Sequence, residues 1–218
     1  MGKFLRVLLL LLVILIAGVS YINWRAYNKK KELRSDALLY FKEEDYVKSI
    51  EYLEKALDLK TIFGLKIDED MECYLAESYF RMGEYEKAEQ LYHKLQKKDP
   101  GNSLYYLLEG QCCTSRKEYE TAMQIFKTGW EKTKDPAFIS EICEIYIEQN
   151  EYDQALSYPL SGIGKDGTAD AELMYDLIII YEKSQDYEAA YKAAQDYCEK
   201  YPEDERGKRE LIFLSSRV

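Results

Sequence analysis

GEYEKAEQLY, residues 83–92, contains an acidic residue, a tyrosine, a short polar gap and an alanine. Nearly the same phrase occurs four more times in this chain of 218 residues, as DYVKS (45–49), EYETA (118–122), EYDQA (151–155) and DYEAA (186–190). The five tyrosines are separated by 39, 34, 33 and 35 residues. A period of this size is typical of a stacked array of repeated units, so the phrase bears on the whole fold.

Each phrase has a small residue three positions after its tyrosine, and most have a second tyrosine six positions before it. The small residues are Ser49, Ala88, Ala122, Ala155 and Ala190, and the earlier positions hold Tyr40, Tyr79, Cys113, Tyr146 and Tyr181. Two antiparallel helices approach to about 8–9 Å only where the crossing residue is small. An acidic residue before each tyrosine favours the start of a helix, because its carboxylate meets unsatisfied N–H groups. The phrase is therefore predicted to be the hinge between two packed helices.

With the phrases aligned, the chain resembles the tetratricopeptide repeat family, whose unit is a helix–turn–helix of about 34 residues. The resemblance extends from about Lys30 to Asp204 and is clearest in residues 69–102, where Gly83 stands in the turn and Pro100 closes the unit. It implies an all-α fold, a TPR-type α-solenoid of about five units with a C-terminal capping helix.

The expected organisation begins with a short basic N-terminus (1–6), a transmembrane anchor (7–24) and a basic juxtamembrane segment (25–34) that runs into the first helix. The repeats are expected at 30–63, 69–102, 103–136, 137–170 and 171–204, with a capping helix at 205–218. The long first spacing predicts extra residues within 61–68. Pro159 predicts a kinked or early-ending second helix in the fourth repeat, and residues 162–168, GIGKDGT, are expected to be the most flexible link.

Residues 7–22, VLLLLLVILIAGVSYI, form an uncharged apolar run preceded by Lys3 and Arg6. A membrane span needs about 20 residues, which this run reaches when it is extended to Phe4 and Trp24. The alternative is a cleaved signal peptide. We favour a retained anchor, because residues 18–20, GVS, are a poor cleavage site.

The side of the membrane on which the body lies is open. More Lys and Arg follow the apolar run than precede it, and five cysteines without a framework spacing fit a reducing compartment, so both favour a cytoplasmic body. A short basic start before a Leu-rich segment is typical of a signal anchor that exports the downstream part of the chain. We expect an extracytoplasmic body by a small margin.

Charge and motifs exclude several functions. Residues 1–34 carry a net charge of +6, so the rest of this chain of net charge −10 carries −16, which makes nucleic acid a poor partner. The sequence around the single histidine, His93, does not indicate a nucleophile or an orienting acid with which it could act in catalysis. The spacing of the five cysteines is not that of a zinc site; they are Cys73, Cys112, Cys113, Cys143 and Cys198. Gly162, Gly164 and Gly167 do not form a phosphate loop. We expect no enzyme activity, cofactor, metal or small-molecule substrate.

The resemblance implies that a protein or peptide partner binds a concave groove lined by the first helix of each repeat. The family's groove positions fall on Cys73, Glu77, Phe80, Arg81, Leu107, Gln111, Thr114, Ser115, Ser140, Glu144, Ile147, Glu148, Tyr175, Ile179, Glu182 and Lys183. One branch of the family binds the C-terminal carboxylate of chaperone peptides with paired Lys and Asn. Here the Asn residues are missing and the groove acids would repel a carboxylate, so an amphipathic helix or an extended segment with Lys or Arg fits better.

These observations lead to a membrane-tethered scaffold or adaptor that binds another protein. One alternative is a holdase-like chaperone or assembly factor for translocating or membrane proteins, which would need a promiscuous apolar groove. A second alternative is a redox role for Cys112 or Cys113.

Overall fold

The computed structural model describes residues 2–62, 65–162 and 170–218. Within these ranges the chain forms eleven helices and no strand, which confirms the predicted all-α fold. The helices are α1 (Gly2–Lys42), α2 (Tyr46–Asp58), α3 (Leu65–Arg81), α4 (Tyr85–Lys98), α5 (Ser103–Ser115), α6 (Tyr119–Thr133), α7 (Ala137–Glu148), α8 (Tyr152–Gly162), α9 (Ala171–Lys183), α10 (Tyr187–Lys200) and α11 (Glu205–Ser215).

Helix α1 is 41 residues long and joins the apolar N-terminal run to the first helix of the first repeat without a break. Its apolar side chains from Val7 to Trp24 are largely exposed. Length and composition make α1 a helix that could cross a membrane, and a signal sequence would have the same features.

The chain divides into two compact units, Met1–Lys98 and Asp99–Val218. In the first unit, each of α1 to α3 packs on the helix that follows it, and α1 also contacts α3. In the second unit, each of α5 to α10 packs on the helix that follows it, and α7 also contacts both α5 and α9. Each unit is therefore built from stacked helix pairs, the packing expected of tetratricopeptide repeats.

All five predicted hinges have the same backbone geometry. The second helix of each pair begins at the phrase tyrosine, and the residue two positions earlier is left-handed, with φ between 60° and 76°. The acidic residue between them donates its amide to a carbonyl five residues back, over 2.8–2.9 Å. This is the Schellman bond that closes a helix C-terminus, so each hinge ends one helix and begins the next. The left-handed residues are Glu44, Gly83, Lys117, Asn150 and Gln185.

The acidic residues of the hinges differ in how they meet the following helix. Asp45 and Asp186 each accept a side-chain bond from the backbone amide three residues on, at 3.1 Å. Glu118 makes no such bond and its carboxylate pairs with Arg116 at 2.7 Å. The acidic residues thus stand at helix starts as predicted, but the longer glutamate side chain of Glu118 turns to a different partner.

The small residues at the helix crossings are fully buried, as predicted. Ser49, Ala88, Ala122, Ala155 and Ala190 are all 0% exposed. Six positions before each tyrosine, Tyr79, Cys113 and Tyr146 are buried, whereas Tyr40 and Tyr181 are only partly so.

Two repeats are irregular. Helix α3 has 17 residues whereas α5 and α9 have 13, so the long first spacing is accommodated at least in part by an extended helix start. Helix α8 has 11 residues and contains Pro159, and it ends at Gly162. A kink at Pro159 stays a prediction, and the flexible link expected from 162 to 168 lies, beyond Gly162, outside the described residues.

Candidate functional site

The sixteen predicted groove residues lie on α3, α5, α7 and α9, the first helices of their repeats, and each is at least partly exposed. Those on α3 belong to the first unit and the other twelve belong to the second. Each unit therefore carries its own set of groove residues.

On the first unit, the predicted groove residues partly bind one another. Arg81 donates from Nε to Glu77 at 2.7 Å, and the hydroxyl of Tyr92 donates to the same carboxylate at 3.3 Å. Phe80 packs edge-on against Tyr85, with ring centroids 5.2 Å apart. The Arg81 guanidinium is therefore already neutralised by Glu77, which fits the argument against a carboxylate-binding groove.

On the second unit, three predicted residues form hydrogen bonds to the helix two positions further along the chain. Gln111 donates to Glu141 at 2.6 Å, Ser140 donates to Asp176 at 2.7 Å, and Tyr175 donates to Glu210 at 3.1 Å. These bonds join α5 to α7, α7 to α9 and α9 to α11 in a polar row. We call Gln111, Ser140, Glu141, Glu144, Asp176 and Tyr175 the acidic row.

Sequence reasoning missed Glu141, Asp176 and Glu210. Glu141 and Asp176 each directly follow a predicted groove residue, Ser140 and Tyr175. The sequence signal that could have indicated them is an acidic residue at this same position in two successive repeats. The bonds themselves could not be read from the sequence, because they join residues 30 to 36 positions apart.

The carboxylates of the acidic row are held in an unfavourable environment for negative charge. Burial raises the pKa of Glu141 to about 7, and Glu144 adds to the rise while the bond from Gln111 opposes it. Burial likewise raises the pKa of Asp176 to about 6, against the bond from Ser140. The pKa of Glu144 is raised by burial and by Glu148. Among the described residues, no Lys or Arg forms an ion pair with these three acids.

The residues considered for catalysis or metal binding do not form a site among the described residues. All five cysteines are free thiols, and Cys112, Cys113 and Cys143 are buried. Burial raises the pKa of Cys143 to about 12, and its thiol donates to the carbonyl of Ala155 at 3.4 Å. Cys143 is therefore a packed core side chain. His93 lies exposed on α4, and no group of His, Cys, Asp and Glu in the described ranges could hold a metal ion.

Models of known protein families match two stretches of the chain. Tetratricopeptide repeat models match residues 40–112 and residues 172–204. This chain is a tetratricopeptide repeat protein. No curated protein sequence matches it significantly.

The fold of this tetratricopeptide repeat protein is similar to that of several solved structures. It is similar to a tetratricopeptide repeat protein from Parabacteroides merdae, with 16% identity and a TM-score of 0.62 over 87% of this chain and 74% of that one. It is also similar to a thermophilic TPR protein of Thermus thermophilus, with 13% identity and a TM-score of 0.54 over 85% and 98% of the two chains. BtubC (BKLC) from P. vanneervenii gives 15% identity and a TM-score of 0.57 over 90% and 92%. At these identities the likeness concerns the fold.

Proposed function

We propose that this protein is a membrane-tethered scaffold whose second unit binds a basic segment of another protein on the acidic row. The observation that carries the proposal is the row of carboxylates at Glu141, Glu144 and Asp176. Burial raises the pKa of each, and none of them forms an ion pair with a described Lys or Arg. A tetratricopeptide repeat array is a binding module for protein partners, so the role is recognition and not catalysis.

A Lys or Arg side chain supplies what the acidic row lacks. A cation placed near Glu141 and Glu144 would favour their ionised forms and make charge-assisted hydrogen bonds to them. Partly exposed apolar side chains lie on the same helices, at Leu107, Ile147 and Ile179. A partner with both features, an amphipathic helix or an extended segment carrying Lys or Arg, fits this combination.

The raised pKa values give binding a measurable signature. Near neutral pH, Glu141 is only partly ionised, because its pKa is about 7. A bound cation lowers that pKa, so binding releases a proton into the buffer. The released fraction is greatest close to the pKa of the free site and vanishes well above it.

The tether is the other half of the proposal. Helix α1 presents exposed apolar side chains along its N-terminal half and continues directly into the first repeat. Retained in a membrane, α1 would confine the repeats to the bilayer surface and raise their effective concentration toward membrane-bound partners.

We propose that the repeats lie on the extracytoplasmic side of the membrane. Labelling of Cys198 by a membrane-impermeant thiol reagent in intact cells tests this side, with labelling after lysis as the accessibility control.

Photocrosslinking in intact cells tests the binding role. A crosslinker at position 111 is expected to capture a discrete partner, and a crosslinker at Glu131, exposed on α6, serves as the matched control position. Adding Glu141→Lys and Glu144→Lys to the position-111 probe should abolish the capture. Capture that survives both reversals contradicts the acidic-row proposal, and capture of many unrelated unfolded chains would favour the holdase alternative.

A defined probe measures the same interaction in solution. An amphipathic peptide with Lys along one edge is titrated into the full chain in detergent, and a version with Glu in place of each Lys is the control. The Lys peptide alone should bind, with proton release near pH 7 seen as a buffer-dependent heat. Equal binding of both peptides would exclude recognition by charge.

A further inference from the structure

The linker between α2 and α3 lies beside the end of the apolar part of α1. The backbone N–H of Ile62 donates to Oδ1 of Asn23 at 2.6 Å. Asn23 directly precedes Trp24, which is 60% exposed and ends the proposed span. If α1 spans a bilayer, this hydrogen bond places residue 62 at the height where the hydrocarbon core ends, and aromatic side chains such as Trp24 favour that level.

A lysine-lined cavity of about 410 Å³ opens next to this linker, entirely within the first unit. Its lysines come from three places along the chain, Lys30 on α1, Lys60 in the linker, and Lys94 and Lys98 on α4. Lys30 stands seven residues beyond Asn23, about 10 Å along the helix axis. The headgroup layer on each side of a bilayer is about 5–8 Å thick, and lysine side chains extend toward it. The cavity therefore begins at the level of the headgroups, beside the linker, and extends to Lys30 just beyond them.

Four lysines and three acidic residues line the cavity, so its lining carries one positive charge in excess. Lys30, which is 1% exposed, binds Asp68 at 2.8 Å, while Lys94 and Lys98 bind the carboxylate of Glu72 at 2.8 and 2.9 Å. Burial opposes the ionisation of Glu72, but the two lysines outweigh it and hold its pKa below the usual range.

Three polar lining residues take no part in these ion pairs. Asp58 and Lys60 line the same cavity, and neither forms an ion pair with another described residue. Thr61 also lines the cavity, and its hydroxyl oxygen is buried with no hydrogen-bond partner within the described ranges. A buried hydroxyl without a partner is costly, so a ligand that accepts a hydrogen bond would be favoured beside it.

We propose that this cavity binds the phosphate group of an anionic phospholipid, with Lys60 and Thr61 as its principal contacts. The phosphate would accept from the Thr61 hydroxyl and from the Lys60 ammonium, which forms no ion pair with a described residue. The exposed cations Arg25, Lys29 and Lys31 on α1 add to the attraction for an anionic membrane surface. The inference rests on the proposed membrane tether, and it gives the first unit a fixed orientation on the bilayer.

Lipid retention by the full chain tests the proposal. The protein is reconstituted in nanodiscs of phosphatidylcholine with an equal part of phosphatidylglycerol, extracted in mild detergent, and weighed by native mass spectrometry. Phosphatidylglycerol should be retained selectively, and Lys60→Gln should weaken its retention about tenfold, the effect of losing one charge-assisted hydrogen bond. Lys97→Gln is the matched control, since Lys97 is exposed on α4 outside the cavity lining. Equal retention by both variants overturns the proposal.

Three further measurements separate the possible failures. Lys60→Gln breaks no ion pair among the described residues, so its melting temperature should equal that of the unchanged protein, which excludes loss of retention through misfolding. Inorganic phosphate is added to the detergent-solubilised chain, and stabilisation by phosphate without selectivity for phosphatidylglycerol overturns the lipid assignment. Extraction of membranes with alkaline carbonate reports the tether separately. A released chain defeats the tether, whereas an embedded chain without headgroup selectivity defeats the cavity proposal alone.

Discussion

The backbone amide of Glu118 donates to the carbonyl oxygen of Cys113 over 2.9 Å, across the left-handed residue Lys117. The same bond closes the first helix of every repeat, but only one repeat has glycine at the left-handed position, Gly83. A residue with a Cβ atom loses free energy in this conformation, since the Cβ approaches the following carbonyl oxygen. Four of the five hinges therefore carry strain that a glycine would relieve.

Replacing Lys117 by glycine should stabilise the protein. We expect Lys117→Gly to raise the free energy of unfolding by about 1 kcal/mol, because it removes the left-handed penalty at a position that is already ordered. Asn150→Gly should raise the free energy of unfolding by a smaller amount, since asparagine tolerates this conformation. Urea denaturation of the full chain measures both. Lys117→Ala, which keeps the penalty, is the control, and a lower stability of Lys117→Gly would contradict the interpretation.

Two helical glycines should resist substitution because aromatic rings occupy the space beside them. A Cβ atom on Gly129 would lie 2.4 Å from the ring of Phe138, and one on Gly110 would lie 2.1 Å from the ring of Phe126. We expect Gly129→Ala to destabilise by about 1–2 kcal/mol, because the overlap outweighs the better helix propensity of alanine. Thermal unfolding is the measurement.

Gly101→Ala is the matched control for that substitution, since its Cβ would meet no atom closer than 3.7 Å. Adding Phe138→Leu to Gly129→Ala should recover part of the lost stability, as the smaller side chain leaves room for the methyl group. Additive losses in the double variant would show that the Phe138 ring is not the source of the cost.

The acidic row should make stability depend on pH in a defined direction. The pKa of Glu141 is raised to about 7, so the folded protein retains a proton that the unfolded chain loses near the ordinary pKa of 4.5. Between these values the folded state binds more protons, and stability falls as the pH rises. Glu141→Gln removes this contribution, and its amide oxygen can still accept from Gln111. Stability relative to the unchanged protein should therefore increase from pH 4 to about pH 7.

Glu131→Gln, an exposed change on α6, controls for net charge in that comparison. The difference between variants is decisive, because other acids shift the opposite way, as with Glu72, whose pKa is lowered. A difference curve that is flat across this range would remove the argument that Glu141 is held protonated by burial.

The last helix should be fastened by a guanidinium that lysine cannot replace. Arg206 on α11 makes two bonds to the carboxylate of Glu172 on α9, at 2.9 and 3.1 Å, and also binds Asp204 at 2.9 Å. A lysine has no planar fork for such bidentate contacts. We expect Arg206→Lys to speed hydrogen exchange in α11. The free energy of unfolding should fall by about 0.5–1 kcal/mol, since the ion pair is partly exposed. Arg209→Lys is the control on the same helix. Equal exchange rates in both variants would show that the guanidinium of Arg206 does not hold α11 in place.

Much of the local architecture was predictable from the repeated phrase. The helix starts at Tyr46 and Tyr119 and the buried crossings at Ala88 and Ala122 follow from spacing and residue size. The long first spacing predicted extra residues within 61–68 but not that they would extend the start of α3. The left-handed turn residues were not apparent, because the Schellman bond accepts Lys117 as well as Gly83. Residue type is a weak guide where the backbone bonds impose the conformation.

The sequence by itself determined the period, the helix pairs and the residues at which they cross, because these depend on bonds and contacts between near neighbours in the chain. Only the tertiary structure decided that Gln111 binds Glu141, that Ser140 binds Asp176, and that Ile62 lies beside Asn23. Those residues are 30, 36 and 39 positions apart, and they meet only after the helices have stacked. Burial then raises the pKa values of the acidic row, and burial is a property of the packed units and not of any single segment.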